Sequence, residues 1–250
     1  MKAGLLIAIP LMSLTLSGCD TAEDPQPGAA ATTTPPAATG SDAVSPANIP
    51  AGVYAVDRNH TYLTFSYLHL GYSYPLMRFT SIDGELDLDG NSMEDSSVAI
   101  SIDTNSLDTK LPRFNTELQS LQYFNAEDYP KITFTSHSYE PSGAATGKLT
   151  GYLTIKGRIR PASLDVTINN AIRHPILDVP VIGFSATGTL LRSDWGLSRN
   201  IPFVADEVTV RIEIEFLQGS SETSGEAARI ATETTAAAPA DELVLPGEGA

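Results

Sequence analysis

The chain has 250 residues, 15 Lys+Arg against 30 Asp+Glu, one Cys and a formal charge of −15. That balance excludes a general nucleic-acid binder, which needs net positive charge to displace counterions. A single Cys excludes an intramolecular disulfide framework and any Cys-rich zinc site, while 42% hydrophobic and 7% aromatic residues suffice for a folded core.

In chain order, residues 1–18 read as an export signal. Lys2 supplies the positive start, and residues 4–16 form an apolar run broken only by Pro10, Ser13 and Thr15. Such a run is too short to cross a hydrocarbon core of about 30 Å as a helix. The string Leu16-Ser17-Gly18-Cys19 resembles the lipobox of bacterial lipoproteins. It implies cleavage before Cys19 and a diacylglyceryl group on the Cys19 thiol. The expected location is therefore extracytoplasmic: an anchored lipoprotein on the periplasmic side of a bacterial envelope, inner or outer membrane being left open. Residues 19–50 are Ala, Thr, Pro, Gly and acid, too poor in large apolar side chains to offset their ordering entropy, and read as a tether. Residues 218–250 repeat that composition and read as an acidic tail.

Charge divides in the same way. Residues 51–217 hold 13 basic and 20 acidic side chains, a net −7, so more than half of the chain's negative charge lies outside the segment that reads as folded.

Within residues 51–217 the dominant period is two, the signature of strands with one apolar face. Leu63, Phe65, Tyr67 and His69 share one parity; so do Val98, Ile100 and Ile102; Ile132 and Phe134; Leu149, Leu153 and Ile155; Leu164, Val166 and Ile168; and Ile182, Phe184, Ala186 and Leu190. The last run is the cleanest, with Val208, Val210, Ile212, Ile214 and Phe216 alternating with Glu207, Thr209, Arg211, Glu213 and Glu215. Turn signals at Asp89-Gly90-Asn91, Pro141-Ser142-Gly143, Lys156-Gly157, Asn169-Asn170 and Trp195-Gly196 separate the runs. Phe114, Leu118 and Leu121 stand at i, i+4 and i+7 between Pro112 and Asn125, which predicts one short helix of about three turns. Eight or nine strands with one helix point to an all-β fold, a closed antiparallel barrel of about eight strands, since closure removes exposed edges. A two-sheet sandwich is the competing architecture. A barrel of about eight strands encloses either packed side chains or one slender ligand.

From Gly52 to Phe216 the chain resembles the YceI-like family. Tyr54-Ala55-Val56-Asp57 with His60-Thr61 is similar to the family's opening, and Phe65, His69, Gly71, Ser73, Phe79 and Gly84 continue it. Asp103, Ser106 and Thr109 follow, then Arg113, Leu118, Ser120 and Phe124 of the helix, and the string Tyr129-Pro130-Lys131-Ile132-Thr133-Phe134. Residues 151–157 with Pro161, Gly183-Phe184-Ser185-Ala186, and Arg192-Ser193-Asp194-Trp195-Gly196-Leu197 complete the match in register. Leu76-Met77-Arg78 stands where the family usually has a Gly, and Asn115-Thr116 where it usually has Asp and His, so a polar helix contact to a head group is not carried over. The resemblance implies a lipocalin-like barrel that binds a polyisoprenoid.

Several enzyme signatures are missing from the sequence: the Gly-x-Ser-x-Gly elbow, the P-loop, Gly-x-Gly-x-x-Gly and His-Glu-x-x-His. No catalytic residue, cofactor or metal is expected. His60 and His69 are nine residues apart, about 30 Å along one strand, so they cannot share a metal; His60 with a residue of another strand is the open alternative. Glu94-Asp95 and Asp206-Glu207 read as solvated turn carboxylates. Arg192 follows the parity of Phe184, Ala186 and Leu190, so it either holds an anion such as a pyrophosphate by bidentate bonds or pairs with Asp194 or another carboxylate. Period and family match together give Leu63, Phe65, Tyr67, Leu86, Leu88, Ile100, Phe134, Leu153, Phe184 and Ile212 as lumen residues for an isoprenoid or other long-chain lipid. His60, His69 and Arg192 are the head-group candidates. The expected function is a membrane-tethered binder of a polyprenyl phosphate, pyrophosphate or quinone. The alternatives are a packed β-scaffold for envelope interactions and an enzyme acting on a lipid or quinone. The oligomeric state, a homodimer included, is open.

Overall fold

The computed structural model describes residues 46–219. The export signal, the Cys19 lipobox, most of the tether and nearly all of the acidic tail lie outside those residues. The described part contains eleven strand segments: β1 (Gly52–Val56), β2 (Tyr62–His69), β3 (Leu76–Phe79), β4 (Ile82–Leu88), β5 (Ser97–Asp103), β6 (Leu107–Asp108), β7 (Lys131–Pro141), β8 (Thr146–Ile155), β9 (Arg158–Arg173), β10 (Pro180–Leu191) and β11 (Val204–Gln218). One helix, α1 (Pro112–Gln119), joins β6 to β7.

Six of the segments are the halves of three interrupted strands. β1 and β2 both run antiparallel to β11, at Val56↔Phe216 and Leu63↔Ile212 respectively. β4 pairs with β1 while β3 pairs with β2, and β5 and β6 continue the pattern on β4 and β3. Counting each interrupted strand once leaves eight, each hydrogen-bonded to the next in sequence, and the first closes on the last. The result is an up-and-down antiparallel barrel, the architecture expected over the sandwich. The break between β1 and β2 is held by Asp57: its carboxylate accepts the Asn59 amide at 2.9 Å, and its carbonyl accepts the Thr61 hydroxyl at 2.7 Å.

Period two does set the inner face. Across β9, β10 and β11, Val166, Ala186 and Ile212 form one inward row and Ile168, Phe184 and Ile214 the next. Three irregularities shift the register, at Ser136/Ser138 on β7, at Gly183/Phe184 on β10 and at Val204/Val208 on β11. The first puts both Ser136 and Tyr139 on the inner wall, while His137 meets the Tyr152 ring at a 51° tilt with ring centroids 5.7 Å apart. Extra residues of this kind bend a strand and re-aim its side chains. The β8–β9 hairpin turns on Lys156 and Gly157, both at positive φ (51° and 70°), the conformation that a two-residue hairpin requires. Gly151 leaves room for the Phe134 ring: a Cβ there would lie 2.5 Å from Phe134 Cζ.

α1 is shorter than the sequence suggested. It ends at Gln119, and Leu121 lies beyond it, exposed. The reason is that the returning backbone takes its last carbonyls: Phe124 N–H bonds Leu118 O at 3.0 Å and Ala126 N–H bonds Gln119 O at 2.9 Å. Leu118 and Phe114 still pack inward, closing part of one barrel end. That end, called the upper end below, also carries the β2–β3, β8–β9 and β10–β11 connections. The start of β1 and the end of β11 lie at the lower end. No helix among the described residues is long and apolar enough to cross a membrane.

Candidate functional site

The inner faces of the strands do not fill the barrel. At the lower end Tyr54, Leu88, Ile182 and Phe216 pack together with almost no exposure, and the Tyr54 hydroxyl donates to Pro50 O at 2.5 Å. Burial raises the Tyr54 pKa above the ordinary tyrosine value, so the hydroxyl remains a donor. At the upper end Met77, Phe79, Leu118, Trp195 and Leu197 form a second cluster, with Trp195 Nε1–H donating to Leu153 O at 3.1 Å. An apolar cavity of about 380 Å³ runs between and through these clusters. Its size falls in the range of small-molecule sites. Its exposed lining residues are His69, Glu117, Arg199 and Asn200 at the upper end and Ser97 toward the lower end.

Nine of the ten expected lumen residues stand on this wall: Leu63, Phe65, Tyr67, Leu86, Ile100, Phe134, Leu153, Phe184 and Ile212. Leu88 does not. It points inward, but its level of the barrel is already occupied by Tyr54 and Ile182, and it serves as packed core. Met77, Phe79, Tyr123, Phe124, Tyr139 and Trp195 also line the cavity and were not among the expected lumen residues. Met77 and Phe79 share a parity in the short β3, so a period-two signal was available for them. Tyr139 was hidden by the register shift on β7, and Tyr123 and Phe124 lie in the irregular segment after α1.

The three head-group candidates separate. His69 stands at the cavity opening. His60 does not: it lies in the exposed β1–β2 break, outside the barrel wall, where its Nδ1 meets Asp57 Oδ2 at 2.7 Å. The Asp57 hydrogen bond and charge, with a smaller contribution from Glu215, raise the His60 pKa. Asp57 is itself partly buried, which pulls its pKa up, but the bonds from His60 and Asn59 outweigh this and hold it below the ordinary carboxylate value. Ligand-type atoms of Asp57, His60 and Glu215 all lie within 4.8 Å of one another, so this trio is the group on the described surface that could hold a cation. It is remote from the cavity, and its geometry is accounted for by the ion pair.

Arg192 does line the cavity, but neither expected role describes it. Its Nε–H donates to Ala205 O at 2.9 Å, one Nη2–H to Val204 O at 2.9 Å, and its Nη1 hydrogens to Arg199 O at 3.0 Å and to Leu197 O. Backbone carbonyls of the β10–β11 connection, not Asp194, absorb the guanidinium. Burial lowers its pKa, with the Asp206 charge opposing the shift. Asp206 is a structural group too: it accepts Ser193 N–H at 2.9 Å and the Ser193 hydroxyl at 2.6 Å, which corrects the reading of Asp206-Glu207 as solvated carboxylates. Arg192 thus places a fixed positive charge beneath the opening, close enough to Tyr67 and Tyr123 to interact with both. Tyr67 is half-buried and its pKa is raised by burial. Asn200 Nδ2–H donates to the Tyr123 hydroxyl at 3.3 Å, and the Arg199 guanidinium lies 5.8 Å from the Tyr123 ring centre. The cavity wall is therefore mostly apolar along its length, with its charged groups at the upper end and the serines Ser96, Ser97 and Ser136 toward the lower end.

Known proteins share this sequence and architecture. The chain is 29% identical over 170 residues to Protein YceI of Salmonella arizonae, an alignment that covers 67% of this chain and 88% of that one. It superposes on a YceI protein of Campylobacter jejuni with a TM-score of 0.56 at 30% identity, covering 60% of this chain and 88% of that chain. A polyisoprenoid-binding domain from Saccharophagus degradans shares the fold, with a TM-score of 0.52 at 15% identity over 66% of this chain and 97% of that chain. The YceI-like domain model matches residues 54–216, the whole barrel, and the chain belongs to the YceI-like family.

Proposed function

We propose that the protein is a membrane-tethered binder of a long-chain isoprenoid amphiphile, a polyprenyl phosphate, pyrophosphate or quinone, with the tail in the barrel and the head at the upper end. The observation that carries this reading is the cavity itself: its wall is mostly apolar along the barrel, its charged lining groups, Arg192, Arg199 and Glu117, gather at the upper end, and the serines Ser96, Ser97 and Ser136 lie toward the lower end. A cavity of about 150 Å³ takes one benzene, so about 380 Å³ holds roughly fifteen carbons, or three isoprene units. At about 0.8 kcal/mol per buried methylene the gross gain is about 12 kcal/mol, which leaves micromolar or better affinity after association costs. Arg192, Tyr67, Tyr123 and Asn200 surround the position of the head. The polyisoprenoid-binding domain from Saccharophagus degradans, which shares the fold, lends support. A packed scaffold would need no such volume, and the wall places His69 and Glu117 at its edge with no carboxylate–histidine pair between them.

The Leu16-Ser17-Gly18-Cys19 string motivates the tether, and with it the envelope location. Cys19→Ser is expected to move the protein from the membrane to the soluble fraction; unchanged fractionation refutes lipidation. For the ligand, the protein purified from its host is extracted with solvent and weighed by mass spectrometry. A prenyl lipid or quinone at near one per chain is expected. A ligand-free protein that also takes up no added farnesyl phosphate overturns the carrier reading.

A further inference from the structure

The upper end carries a second feature that ligand binding alone does not require. Around the opening, large apolar side chains face outward. Tyr72 is 86% exposed, Tyr74 68% and Phe203 71%, with Leu70, Leu76 and Ile201 beside them. These residues come from two connections that are fastened together: Leu70 N–H donates to Phe203 O at 3.0 Å, and Val204 pairs with His69. The three aromatics alone present roughly 450 Å² of ring surface, taking about 200 Å² for each full side chain. That is the size of the largest apolar patch on a typical monomer, and such patches are often functional.

Charge is distributed to match. In a chain with 30 carboxylates, residues 69–77 and 195–205 contain none, and Arg199 is their one cation. The remainder of the barrel carries the acid. The patch abuts His69, Arg199 and Asn200, which with Glu117 form the upper rim of the cavity. An amphiphile entering there from water would expose its whole tail; one entering from a bilayer would not. Tyrosines with apolar rings and polar tips suit the headgroup level of a bilayer.

We propose that this collar docks on the surface of a phospholipid bilayer, so that the isoprenoid passes between membrane and barrel without crossing water. The inference deepens the binding function and rests on it for its purpose, but the docking can be measured separately. The described chain enters at the opposite end of the barrel, yet 26 residues separate Cys19 from Pro46, a contour length of about 90 Å. β1 and β2 together travel about 55 Å of strand from Gly52 to His69, less when projected on the barrel axis. An anchored chain can therefore turn its upper end to the membrane.

The test uses the full chain with Cys19→Ser, so that lipidation contributes nothing, floated with vesicles of phosphatidylcholine and phosphatidylglycerol. Tyr72→Ser with Phe203→Ser is compared with Val53→Ser, an exposed apolar residue at the lower end. All proteins carry the same leader, so differences report the substitutions. The double variant is expected to partition at least tenfold more weakly, and Val53→Ser within twofold of the parent. Equal partition of the double variant and the parent overturns the proposal, as does an equal loss in Val53→Ser, which marks non-specific adhesion. Fluorescence of the buried Trp195 reports whether the double variant is folded; if it is not, Tyr74→Ser alone is the comparison and must lower partition. Ligand content by mass spectrometry is read on the same samples. Collar-dependent flotation of a protein that holds no prenyl lipid would retain the docking and reject the carrier function; a bound prenyl lipid with collar-independent flotation would do the reverse.

Discussion

Ala186→Phe tests whether the lumen is empty space available to a tail. Ala186 is buried on β10, faces inward between Val166 and Ile212, and lines the cavity. A phenyl group needs about 150 Å³, the room that accepts one benzene, against about 380 Å³ available. About two-fifths of the space disappears and a tail that fills the cavity loses about six carbons of burial. At about 0.8 kcal/mol each this is roughly 5 kcal/mol, more than three orders of magnitude in Kd. Stability should move the other way or hardly at all. The ring gains up to about 2 kcal/mol of burial, a rise of about 5 °C in Tm for a domain of this size. If the cavity has no free volume, overpacking instead costs about 1–3 kcal/mol and Tm falls. The assays are tail binding by fluorescence competition and thermal unfolding of delipidated protein. Unchanged affinity, or a Tm lowered by several degrees, refutes the account of the lumen.

Two further substitutions address the polar groups. Arg192→Lys replaces a four-way fork on backbone carbonyls with one ammonium, and is expected to cost about 3 kcal/mol, near 10 °C in Tm by thermal unfolding; unchanged Tm with weakened ligand binding would show that the side chain serves the ligand instead. The Asp57–His60 pair sets a pH window. The raised His60 pKa contributes stability that is fully present below its unfolded value of about 6.5 and is lost as pH rises through the folded value. The lowered Asp57 pKa contributes stability that is present above about 3.9 and is lost as pH falls through its folded value. An NMR titration should place His60 above 6.5 in the parent and lower in Asp57→Asn; an identical midpoint in both would rule out the pairing.

How far the sequence disclosed the molecule follows from which interactions are periodic. Val208, Val210, Ile212, Ile214 and Phe216 alternate over the long β11, and their inward row is visible without coordinates. So is the Lys156-Gly157 hairpin, because a two-residue turn is a local event. Closure was less direct: it depends on the join of β1 to β11, 160 residues away, which no local pattern encodes. The division of Leu88 from Leu86 was not legible at all. Both share one face of β4, and only the neighbours from other strands decide which level is packed and which is open. Arg192 was recognised as unusual by its parity, but its partners are main-chain carbonyls, which are identical in every sequence and leave no mark on composition. His60 was misplaced because Asp57 interrupts the strand there and turns the side chain away from the barrel.

The Arg192 cage also explains how one connection serves both ends of the proposed traffic. Residues 192–203 would otherwise be a long excursion over the barrel mouth, held by few apolar contacts outside Trp195 and Leu197. The guanidinium binds the carbonyls of Leu197, Arg199, Val204 and Ala205, so the start and finish of the excursion are fixed to one half-buried point. Between these anchors lie Arg199 and Asn200, which face the cavity, and Ile201 and Phe203, which face solvent. A loop pinned at both edges presents its two faces in a constant relation. The polar rim proposed for a head group and the apolar collar proposed for a bilayer are then opposite sides of the same pinned turn. An arginine whose hydrogen bonds all go to backbone carbonyls sets the position of both.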